Sequence, residues 1–333
     1  MASTHSIHRN LSERYVRFAD DEARGRSALY EALARGVAYE KQILDFLSTL
    51  PLGKQQPNLL FAAVRSIAGT PDDFGDFRRR LLENVPAVRA LILSCSTQTN
   101  EPARCALLLP ILARLPQPLA LIEVGASAGL CLLPDFYGYD FGSGVLRPEV
   151  GDGTFPVFTC TASPSTPIPS RMPRIVWRAG LDLNPLDAGD PEQSSWLETL
   201  VWPERTERLA GLRDALRIAA VQRPRIVEGN LIGGALTSLC RQAPADATLV
   251  VFHTAVLAYV PNHATRQAFA NEVTALSPYW ICNESPRVMP DLSAGIGDPG
   301  GGRFLMTVNR KPIAWTDPHG AAITWIAAEN TVP

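Results

Sequence analysis

Along the first third of the chain the apolar residues recur every three or four positions. In "RSALYEALARGVAYEKQILDFLSTL" Leu29, Leu33, Val37, Ile43, Leu44 and Leu47 fall at near-helical intervals, and Pro51 with Gly53 ends the run. "PNLLFAAVRSIAG", "FRRRLLENVPAVRALILS" and "EPARCALLLPILARL" continue the same period, and nothing between Leu11 and Leu115 alternates as a strand does. The polar stretch "STQTNEP" at 96–102 reads as the cap of the last of these helices, with Pro102 in its first turn. The pattern predicts an all-helical unit over residues 1–116.

After "PQP" at 116–118 the period changes to short runs rich in Val, Ile and Thr, alternating with helical stretches. That is the pattern of parallel strands joined by crossover helices. Strands are predicted at 119–124, 174–183, 225–230, 248–255, 279–284, 303–309 and 321–327, with helices in "SSWLETLVWPERTERLAGLRDALRIAA" and "HATRQAFANEVTAL". The Gly-, Pro- and aromatic-rich segment at 137–173 reads as an inserted hairpin and loop. Between the last two strands "RKPIAWTDPHG" leaves room for a turn alone, so the sheet is expected to end in an antiparallel pair. Residues 117–333 are thus predicted to form an α/β domain with a mostly parallel sheet.

Composition narrows the class of partner. Of 333 residues 46% are apolar and 19% charged, and a formal charge of -2 without a Lys/Arg cluster offers no footprint for nucleic acid. A small molecule is the better default. The six cysteines are scattered without a C-x-x-C pair, as expected of free thiols in a reducing cytoplasm, and with five histidines at no close ligand spacing they predict no metal site. "MASTHSIHRNLSERYVRF" has no apolar signal region, and the uncharged apolar run at 247–261 is shorter than the ~18 residues of a membrane span. A soluble cytoplasmic protein with no membrane partner is expected.

The candidate chemistry centres on Gly125-Ala126-Ser127-Ala128-Gly129, directly after the first predicted strand. G-x-S-x-G is the form of a hydrolase nucleophile elbow, with Ser127 followed in chain order by Asp246 or Asp291 and by His319. That device also wants an HGG-type oxyanion segment upstream, and His occurs before Ser127 only at positions 5 and 8. The other device is a turn whose glycines let a nucleotide-like ligand approach the backbone. Three further residues suit it: Glu123 at the end of the first strand, Asp182 in "GLDLNP" at the end of the second, and Asn230, beside Glu228, at the end of the third. Asp182 can accept hydrogen bonds from both hydroxyls of a ribose, and Asn230 can pair with an adenine edge. Asp182 follows Gly129 at more than the usual ~20 residues, an excess the inserted hairpin accounts for.

The form E-x-G-x-S-x-G-L resembles the first motif of class I S-adenosylmethionine-dependent methyltransferases, and "GLDLNP" resembles their acidic second-strand motif. The chain also resembles a bacterial domain-of-unknown-function family, DUF2332, through "QPNLLFAAVRSIAG", "STQTNEPARCALLLP", "EVGASAGL", "GLDLNPLD", "LVWPE", "VVFHTAVLAYV" and "DPHG". One departure is Gly229-Asn230, where such proteins commonly carry Gly-Asp. The resemblance implies a Rossmann-like domain, S-adenosylmethionine as cofactor and methyl transfer to a small molecule. It assigns Glu123, Gly125, Ser127, Gly129, Asp182 and Asn230 to the cofactor. His253 and Thr254, at the end of the fourth strand, would face the methyl group, although a lone imidazole in "VVFHTAVLAYV" is equally well a core residue. Tyr259 is a nearby hydrogen-bonding candidate, and Gln98, Asn100 and Glu101 either reach the site from the helical unit or cap a helix. A non-catalytic ligand-sensing or interaction protein on the same fold is the alternative, to which Asn230 points; a serine hydrolase is the third.

Overall fold

The computed structural model describes residues 4–98, 100–149, 153–260 and 262–327. The chain divides into two compact units, Met1–Thr99 with Ser195–Leu209, and Asn100–Ser194 with Ala210–Pro333.

The first unit is built from helices α1 (Thr4–Arg17), α2 (Ala28–Tyr39), α3 (Lys41–Ser48), α4 (Pro57–Ala68), α5 (Phe74–Glu83) and α6 (Val85–Ser94). Their starts follow local chemistry. Ser27 accepts from Tyr30 N at the head of α2, Asp73 accepts from Asp76 N at the head of α5, and α4 begins with Pro57 and ends before Gly69 at φ +81°. Buried faces at helical spacing meet in a core where Tyr15, Phe18, Tyr30 and Phe77 surround Phe61, with Trp202 edge-on to Phe18. The returning segment explains "LVWPE". Trp202 Nε1 donates to Asn58 Oδ1 at 2.9 Å, and Glu204 accepts from Ser27 Oγ at 2.8 and 2.9 Å.

The second unit holds α7 (Cys105–Leu112), which the helical period had grouped with the first, and α8 (Pro191–Leu200) and α9 (Thr206–Gln222) enter it in part. It also holds α10 (Ala235–Cys240), α11 (His263–Leu276) and α12 (Pro290–Ser293). Its strands are β1 (Leu119–Val124), β2 (Gly138–Asp140), β3 (Val145–Leu146), β4 (Val157–Thr159), β5 (Thr161–Ala162) and β6 (Ile175–Asp182). β7 (Arg225–Glu228), β8 (Thr248–Thr254), β9 (Tyr279–Glu284), β10 (Phe304–Val308), β11 (Lys311–Thr316) and β12 (Ala322–Trp325) follow. A nine-stranded sheet runs β5-β12-β11-β10-β9-β8-β1-β6-β7, and β3-β2-β4 form a small second sheet. β1 lies between β6 and β8 and is parallel to both, and all six of its residues are buried. Burial along the whole length is what a central strand covered on both faces shows, here with Glu123 as the one charged residue.

Two features differ from the pattern expected of the sequence. The antiparallel part is longer than a terminal pair, because Lys311–Thr316 is a strand: β9, β10, β11 and β12 pair antiparallel in succession. The turn is only Asn309-Arg310, both at positive φ (48° and 67°), and Asn309 pins it by accepting from Trp280 N and donating to Pro278 O, each at 2.8 Å. Pro312 inside the strand had masked it. Second, among the described residues no α-helix lies between β1 and β6. The crossover to β6 runs through buried 3-10 turns at Leu130–Leu132 and Pro134–Phe136 and through the small sheet, so the inserted segment is a β2–β3 hairpin with β4 added parallel to β2. Among the described residues no helix is long and apolar enough to cross a membrane.

Candidate functional site

The turn after β1 reverses the chain at Gly125, Ser127 and Gly129, whose φ angles are 77°, 50° and 72°. Such values are routine for glycine and uncommon for serine. Asp182 holds the turn closed. Its Oδ2 accepts from Ser127 N at 2.7 Å and its Oδ1 from Asn184 N at 2.8 Å, while Gly125 N donates to Leu181 O at 2.7 Å. The glycines are also packed from within: a Cβ on Gly125 would lie 2.3 Å from Val256 Cγ2, and one on Gly129 would lie 2.8 Å from Pro224 Cγ. The space over Gly125 is therefore taken by the loop that follows β8.

Register decides which side chains can share a site. Glu123 is level with Gly180 and Phe252, so Glu123, Asp182 and Thr254 point to one face of the sheet. His253 points to the other, where its Nδ1 lies 2.8 Å from Glu284 Oε1 and its ring stacks on Trp280 and meets the edge of Phe269. It is fully buried there, and Glu284 Oε1 also accepts from Val256 N at 2.8 Å and Leu257 N at 3.1 Å. His253 and Thr254 thus cannot face one acceptor. His253 orients Glu284, which holds the 256–257 backbone, and Val256 in turn covers Gly125. Asn230 is exposed, its Oδ1 accepting from Ile232 N, and Gln98 belongs to the other unit.

On the Glu123 face, segments far apart in sequence converge. Arg104, buried at the start of α7, donates from Nε to Pro318 O at 2.7 Å and from Nη1 to Thr254 O at 3.2 Å and Thr254 Oγ1 at 3.3 Å. Cys131, just past the turn, donates to Glu101 O at 3.4 Å, and His319 Nδ1 lies 3.7 Å from Glu101 Oε2. A Cβ on Gly320 would strike Ala103 O, so the "DPHG" turn is seated on the "NEPAR" segment. The motifs "NEPAR", "EVGASAGLC", "VVFHTA" and "DPHG" meet at the carboxyl ends of β1 and β8.

A family model for uncharacterised proteins conserved in bacteria matches residues 12–325. The chain belongs to this family, DUF2332. No curated protein matches it.

The DUF2332 site is rich in buried polar atoms without protein partners. Asn100 Nδ2, Glu123 Oε2, Ser127 Oγ and Asn283 Nδ2 all lie at or beside this carboxyl edge, Asn283 being level with Thr254 and accepting from Thr316 Oγ1 at 2.7 Å. Such orphans are few in native proteins, and four of them fall at or beside this one sheet edge. Burial, and then the nearby Cys131 and Asp182, push the Glu123 carboxyl well above its ordinary range against the opposing pull of Arg104. The Cys131 thiol is likewise pushed up, first by its contact with Cys105 and then by burial. The acids expected to complete a triad with Ser127 lie elsewhere: Asp246 precedes β8 at the opposite end of the sheet, and Asp291 pairs with His263 at 3.2 Å. Sequence reasoning missed Arg104, Asn283 and Glu284. The one available signal was an arginine opening an otherwise apolar helix.

Proposed function

We propose that this protein binds S-adenosylmethionine at the 125–129 turn and transfers its methyl group to a small molecule. One observation carries the reading: carboxylates end two adjacent parallel strands, β1 and β6, on either side of a turn with three left-handed residues. In chain order the five parallel strands lie third, second, first, fourth, fifth, the order of doubly wound sheets that bind nucleotides beyond their carboxyl ends. The donor set fits a nucleoside. A carboxylate oxygen has two acceptor sites, and each Asp182 oxygen accepts a single protein N–H, so both keep a site for a ribose hydroxyl.

When bound, the cofactor supplies a methyl group already activated as a sulfonium, which leaves the protein the work of alignment and exclusion of water. Asp182 holds the ribose and the turn together. Arg104 fixes the Thr254 hydroxyl at the end of β8. The proposed base at this edge is His319, whose Nδ1 lies 3.7 Å from Glu101 Oε2, and the proton leaving the acceptor goes to the His319 imidazole. Titration calorimetry with S-adenosylmethionine and S-adenosylhomocysteine tests the reading. Both should give saturable heat, and Asp182→Ala should weaken binding about tenfold to hundredfold, the ~1.5–3 kcal/mol of a charged hydrogen bond. Equal binding by wild type and variant would sink the assignment of the ribose to Asp182.

A serine hydrolase remains a second reading because of Ser127 itself. A non-glycine residue at φ +50° with an unpartnered Oγ is the geometry of a strained nucleophile turn, and Glu101 with His319 resembles a base and its orienting acid. The turn lacks the helix that follows such an elbow. Stoichiometric fluorophosphonate labelling of Ser127, lost in Ser127→Ala, would hand the site to the hydrolase.

A further inference from the structure

Beside the turn lies a cleft of about 360 Å³, within the span of small-ligand sites, walled by Ala128, Pro185, Leu186, Pro224 and Ile226. Its origin is the crossover from β1 to β6. Where a doubly wound sheet would carry a helix there are only short turns, and Ile226 of β7 is left lining an open space.

Two opposite charges stand at this cleft, Asp187 and Arg223, both exposed. A methyl group built on Gly189 would lie 3.1 Å from Asp187 Oδ1 and 3.8 Å from Arg223 Nη2, so both face one small volume. Among the described residues neither takes part in an ion pair. Each is instead held by its own backbone. Asp187 Oδ1 accepts from Gly189 N at 2.7 Å, while Gln193 Oε1 accepts from Asp187 N at 2.9 Å. Arg223 sits just past α9 at φ +46°, its N–H donating to Ala219 O at 2.8 Å. That is a position where glycine or asparagine is usual, and the Arg223 side chain lines the cleft.

We infer that this cleft binds an α-amino acid with an apolar side chain. A carboxylate and an ammonium on a single carbon match a guanidinium and a carboxylate that face one volume without closing on each other. The carboxylate pairs with Arg223, the ammonium with Asp187, and the side chain lies against Pro185, Leu186, Pro224 and Ile226. The same chemistry comes from two sources, a free amino acid or the amino-acid end of S-adenosylmethionine, and the cleft adjoins the proposed cofactor turn through Ala128 and through Leu186 N, which donates to Ser127 O at 3.1 Å. With a free amino acid as its source the inference stands apart from the methyltransferase reading, since it rests on other residues; with the cofactor as its source it rests on that reading.

The test is titration calorimetry of the full chain with L-leucine, L-methionine, L-phenylalanine, L-leucine methyl ester, S-adenosylmethionine and 5′-methylthioadenosine. Asparagine tolerates the left-handed backbone and carries no charge, so Arg223→Asn removes the cation alone, and Asp187→Asn keeps the oxygen that Gly189 uses. If the source is a free amino acid, at least one binds wild type, its affinity falls at least tenfold in each variant, and the ester binds at least tenfold more weakly than leucine. If the source is the cofactor, Arg223→Asn weakens S-adenosylmethionine at least tenfold and leaves 5′-methylthioadenosine, which lacks the amino-acid end, unchanged. Binding of neither kind, or binding that both variants leave intact, overturns the inference. Heat from an amino acid without heat from S-adenosylmethionine would retain this site while removing the methyltransferase reading.

Discussion

Glu123 is the one charged residue on a strand buried along its whole length, and its folded-state pKa lies above its ordinary 4.5, chiefly through burial. Below that value folded and unfolded chains both carry the proton and nothing is lost. As pH rises the unfolded chain ionises first, so the folded state is penalised, progressively, above about pH 4.5. Glu123→Gln removes the penalty: urea unfolding should show the variant more stable than wild type at pH 7, with the gap closing as pH falls to 4.5. Equal stability at pH 7 would mean that the carboxyl is satisfied in the unbound protein. His253 gives the opposite kind of test. Removing it leaves Glu284 buried with two backbone donors, so His253→Ala should cost about 3 kcal/mol, the low end for breaking a buried pair. In a domain of this size that lowers Tm by roughly 6–12 °C, measurable by calorimetry. A residue serving only an acceptor would leave Tm unchanged.

At the scale of elements, the turn after β1 and the loop after β8 act as one piece, because Val256 fills the space a side chain on Gly125 would need. Gly125→Ala should cost about 2–4 kcal/mol, from overpacking and from the left-handed backbone together. Val256→Ala in the same chain should recover the overpacking and leave the backbone part, a coupling that a double-mutant cycle reads directly. Additive losses would mean that the two loops do not touch. What the sequence made legible follows the same physics. Strands of the parallel sheet stood out because an apolar run such as "LALIEV" has no other stable home, and their ends placed Glu123, Asp182 and Thr254 at one edge. β11 was hidden by Pro312 and by a turn of only two residues. The opposite facing of His253 and Thr254 follows from strand alternation and was there to be read. The meeting of Arg104 with Thr254, 150 positions apart, was not, since nothing local marks a partner so distant in the chain.

At the scale of the whole molecule, the proposed site lies in the unit that carries the sheet, and motifs widely separated in sequence lie close together there. "NEPAR", the 125–129 turn, the end of β8 and "DPHG" surround buried polar atoms that the protein leaves unpaired. The "LVWPE" segment, by contrast, completes the helical core and caps α2. If the carboxyl edge is the site, a nucleoside ligand must order the backbone that surrounds it. Hydrogen exchange of the full chain with and without saturating S-adenosylhomocysteine measures this, peptide by peptide. Slowed exchange is expected in peptides spanning 123–131 and 182–186, with no change in those spanning α2 and α4. Unchanged exchange at both segments, or protection confined to other parts of the chain, would contradict the placement of the site at this turn.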